Sequence, residues 1–293
     1  GDHLMVDKVG YGPGGMWNWL LPYTDVQRDQ IIVFRYPLDP TTYFVKRIIG
    51  VPGDHIRLEN KEVYRNGERL QQDFPGYGYR RLGRQLRLHQ SLTSTNSEAM
   101  SLAHQGAEDG TVVAAESQTA GRGRHARIWF SPPGLNLYCS VIVRGLGDKL
   151  TLADWLSWVP LTTALAVAEA VHTVAAISLD LKWPNDLLLD EHKVGGILCE
   201  SSLTSPDNPV VVIGIGLNVN VPRDLFPEDL RPIATSLFES THRLIDRNRL
   251  LAQLLQELEE SLDELRAHGP SRLLQAYQHR CTTLGRQVRV DLG

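Results

Sequence analysis

The feature that most limits the fold of this 293-residue chain is its longest apolar stretch, from about Leu152 to Ala176. Its length decides between a membrane span and a core helix. Asp154, Pro160, Glu169 and His172 interrupt it, and the uncharged run between Asp154 and Glu169 is 14 residues. A spanning helix needs about 20 predominantly apolar residues. The expectation is a buried core helix over roughly 151–175, bent at Pro160, with no membrane span. The N-terminus lacks a basic region followed by an apolar run, so no signal peptide is expected.

Charge and cysteine content narrow the partners. Thirty Lys and Arg against 34 Asp and Glu leave a formal charge of −4. A global basic field for nucleic acid or anionic lipid is absent, so any anion site must be local. Cys139, Cys199 and Cys281 are odd in number and lack CxxC spacing. That excludes a disulfide framework or zinc ribbon and fits a reducing cytoplasm.

The texture changes once along the chain. Up to about residue 75 the pattern is strand and turn: Ile31–Phe34, Tyr43–Ile49, then a hairpin of His55–Leu58 and Glu62–Tyr64 ending at Asn66-Gly67. Gln71–Tyr79 is rich in turn formers, which places a boundary between about 72 and 80. Beyond it helices and strands alternate in a mixed α+β order. Strands are expected at Gln85–Gln90, Thr111–Glu116, Leu137–Val143, and near 178–183, 187–190, 196–202 and 209–214. Helices are expected over Asn96–His104, 151–175, Asn248–His268 and from Pro270 to about His279, the third with Leu250, Leu254, Leu255, Leu258, Leu262 and Leu265 on one face.

Four segments of the second region carry chemistry. Gly121-Arg-Gly-Arg-His-Ala-Arg127, followed by Trp129, crowds Arg122, Arg124 and Arg127 onto a glycine-containing loop. Guanidinium forks match phosphate and carboxylate, and glycine lets backbone amides approach a ligand. The plain alternative is a solvated basic loop or a nucleic-acid contact. Lys182-Trp-Pro-Asn-Asp186 sets a cation, the Asn185 amide and the Asp186 carboxylate at one sharp turn. It suits a nucleotide, or is simply a hairpin turn. Lys193-Val-Gly-Gly-Ile-Leu198 opens a strand with Gly195 and Gly196, a sign of close backbone approach. It also puts Lys193 on the other arm of a hairpin from Lys182, where the two can converge. Gly214-Ile-Gly-Leu-Asn-Val-Asn220 follows an apolar strand, with Asn218 and Asn220 on one face.

With Ser94-Thr-Asn96 and Glu116-Ser-Gln-Thr-Ala120 upstream, the order and spacing of these segments resemble bacterial biotin protein ligase over about residues 80–283. The resemblance implies a class II synthetase-like α+β catalytic domain, a mixed sheet flanked by helices. It implies activation of biotin by Mg2+-ATP to biotinyl-5′-AMP, then transfer to a lysine of a biotin carboxyl carrier domain of acetyl-CoA carboxylase or a related carboxylase. Ser94, Thr95, Asn96, Gln118, Gly121, Arg122, Gly195, Gly196 and Leu198 match the biotin site. Arg124, Arg127, Trp129, Asn185, Asp186 and Asn218 match nucleotide-site positions. Lys193, Arg124 and Lys182 match the groups at the reacting carboxyl and α-phosphate. The family loop reads GRGRxGR where this chain has Ala126. If that position needs φ > 0, alanine costs about 1 kcal/mol.

Gly1–Lys8 and Val45–Ile56 resemble two boxes of bacterial type I signal peptidase, with Lys46 matching its general-base lysine. The nucleophilic serine box lies upstream of these residues, so proteolysis is not expected and Lys46 reads as a vestigial base. The expected domains are a partial β-rich signal-peptidase-like segment at 1–76, the ligase catalytic domain at 77–283, and the start of a small β-domain at 284–293. Gly1 and Gly293 then read as cut ends of something longer. The first 79 residues show no paired helices, so no DNA partner is expected. A homodimer is left open. The competing functions are a lipoate ligase, which shares the fold, and a non-catalytic biotin-binding or carrier-docking module.

Overall fold

The computed structural model describes residues 28, 31–36, 39–59, 62–70, 81–144, 151–203 and 209–287. Gly1–Lys8, the Gln71–Tyr79 stretch and the last six residues of the expected C-terminal strand lie outside them. The chain divides into two compact units, one of Gly1–Ile32 and Lys46–Phe74, the other of Val33–Val45 and Pro75–Gly293. The expected domain 1–76 treats that region as one piece. The structure groups Val33–Val45 with the later residues instead.

The first unit holds a three-stranded sheet of β3 (Ile56–Glu59), β4 (Glu62–Arg65) and β5 (Glu68–Arg69). β3 pairs antiparallel with β4, Ile56 opposite Arg65. Asn66 and Gly67 have φ of 55° and 86°. They form the tight turn into β5, so they start a second hairpin where the sequence reading ended the first. Asp54 is fastened there by Arg28, the Val51 amide and Asn66. The Arg28 guanidinium, then the Val51 amide and Asn66, hold its carboxyl well below the usual carboxylate range. The described residues between 28 and 70 include no helix.

The second unit is built on most of β1 (Ile31–Tyr36) and β2 (Asp39–Arg47), and on β6 (Leu86–His89), β7 (Val112–Ala115), β8 (Leu137–Val143), β9 (Asp180–Lys182), β10 (Asp186–Leu189), β11 (His192–Leu203) and β12 (Pro209–Leu217). These form one sheet in the order β1, β2, β6, β7, β8, β12, β11, β10, β9. β6 and β7 are parallel, and the pairs from β7–β8 through β10–β9 are antiparallel. β2 enters beside β6 with Thr42 opposite Arg87. That pairing is why residues 33–45 belong here. Lys46 lies in the backbone of β2, and its side chain is outside the described residues.

Helices α1 (Thr95–His104), α2 (Leu152–Ala175), α3 (Leu237–Thr241), α4 (Arg247–His268) and α5 (Ser271–Arg280) complete the unit. Helices cover both faces of the sheet, so β12 is apolar on both sides. Its Val211, Ile213, Ile215 and Leu217 join the main core with α2 and α4. Its Val210 and Val212 pack under Ala99 and Ala103 of α1. Ser140 of β8 breaks an otherwise apolar strand and points to the α1 side.

A capping box starts α2. Thr151 Oγ1 accepts from the Asp154 amide while the Asp154 carboxylate accepts from the Thr151 amide and hydroxyl. The helix runs through Pro160 and ends at Ala176, φ 57°. By length and composition Leu152–Ala175 qualifies as a membrane-crossing helix, so counting only its uncharged run understated it. Here its apolar side chains are folded into protein: Trp155, Val159, Val167 and Val171 are fully buried against the sheet and α4. α4 buries Leu250, Leu254, Leu258, Leu262 and Leu265, as its periodicity predicts. All three cysteines are free, and burial pushes the Cys139 and Cys199 thiols up to about 12.

Candidate active site

The site forms where glycines clear space on the α1 face of the sheet. Along β12 the residues on that face read Val210, Val212, Gly214, Gly216. The valines support α1, and then the side chains stop. A Cβ on Gly214 would stand 2.1 Å from Asn96 Oδ1, and one on Gly216 would stand 2.6 Å from the Trp129 indole. The GxG therefore lies inside the strand, which extends to Leu217, beyond the expected end near 214.

A second device aims Lys193. β10 and β11 pair Leu187 with Gly195 but Leu188 with Lys193, so Val194 is an extra residue in β11. Such a bulge reverses the alternation of faces. It brings Lys193 onto the face of Gly196, with its Nζ 3.5 Å from where a Gly196 Cβ would stand. Lys193 Nζ lies 2.5 Å from Asp186 Oδ1 and 5.5 Å from the centre of the Trp129 ring. Lys182 is not on the same hairpin as Lys193, because β10 lies between their strands. It is exposed at the end of β9, opposite Asp186 in register. The two lysines share Asp186 as a neighbour rather than facing each other across one hairpin.

The Arg loop crosses this floor. Gly123 N donates to Arg127 O at 2.7 Å and Trp129 N to Gly121 O at 2.8 Å, closing the loop on itself. Gly121 is required by space: a Cβ there would meet Ser131 Oγ at 2.7 Å, Trp129 O at 2.8 Å and Gln118 Nε2 at 2.9 Å. Arg124 Nη1 donates to Asn185 Oδ1 at 3.3 Å, and Asn185 Nδ2 to Ile197 O at 2.8 Å. Arg127 is exposed. The left-handed residue of the loop is His125, φ 55°. The Ala126 side chain lies outside the described residues.

Thr95, Asn96 and Gln118 meet beneath the loop. Gln118 Oε1 accepts from Thr95 N at 2.9 Å, and Gln118 Nε2 donates to Ser131 Oγ at 3.1 Å. Ser140 Oγ lies 2.6 Å from Asn96 Oδ1 and 2.8 Å from Thr95 Oγ1. A hydroxyl has one proton, so Ser140 donating to Asn96 leaves the Thr95 hydroxyl proton to serve both Ser140 Oγ and Gln118 Oε1, the latter at 3.2 Å. Asn96 Nδ2 donates to Leu198 O at 3.1 Å and to Glu200 Oε2 at 2.8 Å. Ser94 is the buried N-cap of α1.

Asn218 stands apart from this group. It is buried, its Oδ1 accepting from Asn136 Nδ2 at 3.3 Å and its Nδ2 donating to Thr235 O at 3.0 Å. Both ends of its amide are engaged inside the fold. Sequence reasoning also passed over Ser131, Ser140 and Glu200, which hold the expected residues in place. A lone serine inside the apolar strand Leu137–Val143 was the legible signal for Ser140.

The Trp129 indole Nε1 is a buried donor without a partner. Among the described residues no group of three or more His, Cys, Asp or Glu could hold a metal ion. What the site offers is an orphan donor, a glycine floor, and the cations Lys193, Lys182, Arg124 and Arg127 on the neighbouring segments. That set can hold a polar ligand beside an anion.

A biotin/lipoate A/B protein ligase family model matches residues 88–220, which contain every site residue named above. The chain is 39% identical over 213 residues to the biotin–[acetyl-CoA-carboxylase] ligase of Mycobacterium tuberculosis, covering 71% of this chain and 75% of that protein. The chain belongs to the biotin/lipoate protein ligase family. It is 38% identical over 195 residues to the bifunctional ligase/repressor of Bacillus subtilis, spanning 66% of this chain and 59% of that relative. A solved biotin protein ligase from Aquifex aeolicus, in complex with biotin and ATP, superposes with a TM-score of 0.61 at 31% identity, covering 71% of this chain and 83% of that one. A signal peptidase S26 model matches residues 1–116 and so overlaps the ligase match. Within the overlap, α1 and β7 are parts of the ligase sheet and site.

Proposed function

We propose that the chain is a biotin protein ligase. It joins biotin to ATP as biotinyl-5′-AMP and passes the biotinyl group to a lysine of a carboxylase biotin carrier domain. The observation that carries this reading is the convergence of Lys193, Trp129, Gly196 and Gly216 on one face, beside the Thr95–Asn96–Gln118 network, in a chain of this family. Three free cysteines support a cytoplasmic setting.

The chemistry follows from charge. In the first step a carboxylate oxygen attacks the α-phosphorus, a new C–O–P link forms, and pyrophosphate leaves. Two anions must approach, and Lys193 with Arg124, Arg127 and Lys182 offsets their repulsion and holds the line of attack. Lys193 is paired with Asp186 in the ligand-free chain, so binding substrate means exchanging that partner for the carboxylate. Mg2+ would arrive with ATP, the Asp186 carboxylate would help hold it, and the ion would offset phosphate charge. In the second step an uncharged acceptor amine attacks the acyl carbon and AMP leaves. The Arg loop over Trp129 keeps water from the mixed anhydride.

The test is biotin-dependent exchange of pyrophosphate into ATP, run beside lipoate. Wild type is expected to exchange with biotin, and Lys193→Ala to lose at least a hundredfold. No biotin-dependent exchange in the wild type, or exchange with lipoate alone, overturns the reading.

A further inference from the structure

Three elements of the site meet at one oxygen atom. Glu200 lies on β11, at the end of the segment that opens with Lys193. Its Oε2 accepts from Asn96 Nδ2 at 2.8 Å, at the start of α1. The same oxygen accepts from Arg122 Nη2 at 3.1 Å, on the Arg loop. Arg122 Nη2 also donates to Ser97 Oγ at 3.2 Å, so the arginine is drawn against the first turn of α1.

The Glu200 carboxylate and the Leu198 carbonyl together fix which way Asn96 faces. An amide side chain can turn over, exchanging its oxygen and nitrogen. Here Nδ2 faces two acceptors, Leu198 O and Glu200, while Oδ1 faces the Ser140 hydroxyl. Turned over, the amide would set oxygen against oxygen at Glu200. The Ser140 proton thereby goes to Asn96. Thr95 Oγ1 lies 2.8 Å from Ser140 Oγ and 3.2 Å from Gln118 Oε1, so its one proton serves those two acceptors, while the Thr95 amide donates to Gln118 Oε1. A charged group on β11 therefore orders the donors and acceptors of Asn96 and Ser140, and ties down the loop arginine as well. Gly214 leaves Asn96 no room to relax toward the sheet.

We propose that Glu200 is a positioning residue for the biotin site. It acts through Asn96 and Arg122, setting the polarity of the pocket's hydrogen bonds and docking the Arg loop on α1. This rests on the ligase reading above. It concerns the biotin half of the site, because Lys193, Asp186 and Asn185 have their own partners.

The experiment is pyrophosphate exchange by the full chain as wild type, Glu200→Ala, Glu200→Gln, Arg122→Ala and the double variant. Glu200→Ala is expected to raise the biotin KM about tenfold with the ATP KM within twofold, and with the ligand-free melting temperature unchanged. Glu200→Gln keeps an acceptor for Asn96 but not the charge for Arg122, so it falls between. The double variant is expected to be no worse than the worse single one, since both remove one link. A biotin KM within twofold of wild type in Glu200→Ala, equal changes in both KM values, or additive effects in the double variant overturn the proposal while leaving the ligase reading intact. No exchange in the wild type overturns both.

Discussion

Gly195 and Gly196 are neighbours in β11, yet the structure assigns them opposite consequences. Neither has a φ that excludes other residues, so only space matters. A Cβ on Gly195 points to the core and would stand 2.7 Å from Leu187 Cδ1, 3.0 Å from Leu217 Cδ1 and 3.1 Å from Gly216 O. Both leucines are fully buried, and the carbonyl belongs to a paired strand that cannot retreat. Overpacking of this kind costs about 1–3 kcal/mol, and the stiffer unfolded chain returns about 0.4–1 kcal/mol, leaving roughly 1–2 kcal/mol. For a unit of this size Gly195→Ala should therefore melt about 2–8 °C lower. A Cβ on Gly196 meets Lys193 and Trp129 at 3.4–3.5 Å, ordinary contact distances. Gly196→Ala should keep its melting temperature or gain about 1–4 °C. The same methyl stands on the floor between the lysine and the indole, so its biotin KM should rise about tenfold. Scanning calorimetry of the ligand-free proteins and biotin titration of pyrophosphate exchange separate the two effects. Equal melting temperatures for the two variants would refute the division of β11 into core and site faces by the bulge at Val194.

Two further outcomes follow from single groups. Thr151→Ala removes the N-cap of α2 and should cost about 1 kcal/mol, a melting temperature about 2–4 °C lower, while leaving the biotin KM unchanged. A fall in stability matched by a change in biotin KM would contradict the separation of α2 from the site. Asp54 has its carboxyl held low by Arg28, the Val51 amide and Asn66. Its contribution is present above the unfolded value of about 3.9 and is lost as pH falls below it. Amide exchange across residues 48–66 should be slower in wild type than in Asp54→Asn at pH 7. The ratio should shrink at pH 3, and a ratio that grows on acidification would reverse the sign of the argument.

From β6 onward the elements were legible because period and caps agree. The leucines of α4 mark one face, and the run of β-branched residues in β12 marks a strand buried on both sides. The glycines of β11 and β12 were visible as punctuation, but not as positions inside strands. Their reason is an indole and an amide arriving from distant segments. The short strand β10 separates the strands of the two lysines, which read in the sequence as arms of one hairpin, and the bulge at Val194 that turns Lys193 leaves no compositional trace. Asn218 carries a motif position, yet it is held by Asn136 and Thr235, and neither partner is near it in sequence. Glu200 looks like any strand carboxylate until α1 and the Arg loop are brought to it.

The pairing of β2 with β6 also bears on how the chain is made. Synthesis delivers Thr42 and Tyr43 long before Leu86 and Arg87. On the ribosome the β6-facing edge of β2 must wait unpaired while the rest of the first unit emerges, and it closes onto the sheet only afterwards. Long-range closure of this kind is slow and leaves an edge exposed to other nascent chains in the interval. A gene fragment starting in the stretch between 72 and 80 would spare the cell that wait. It would also leave β6 as the open border of the sheet that carries Lys193, so solubility on expression, more than catalysis, is where such a truncation should show its defect.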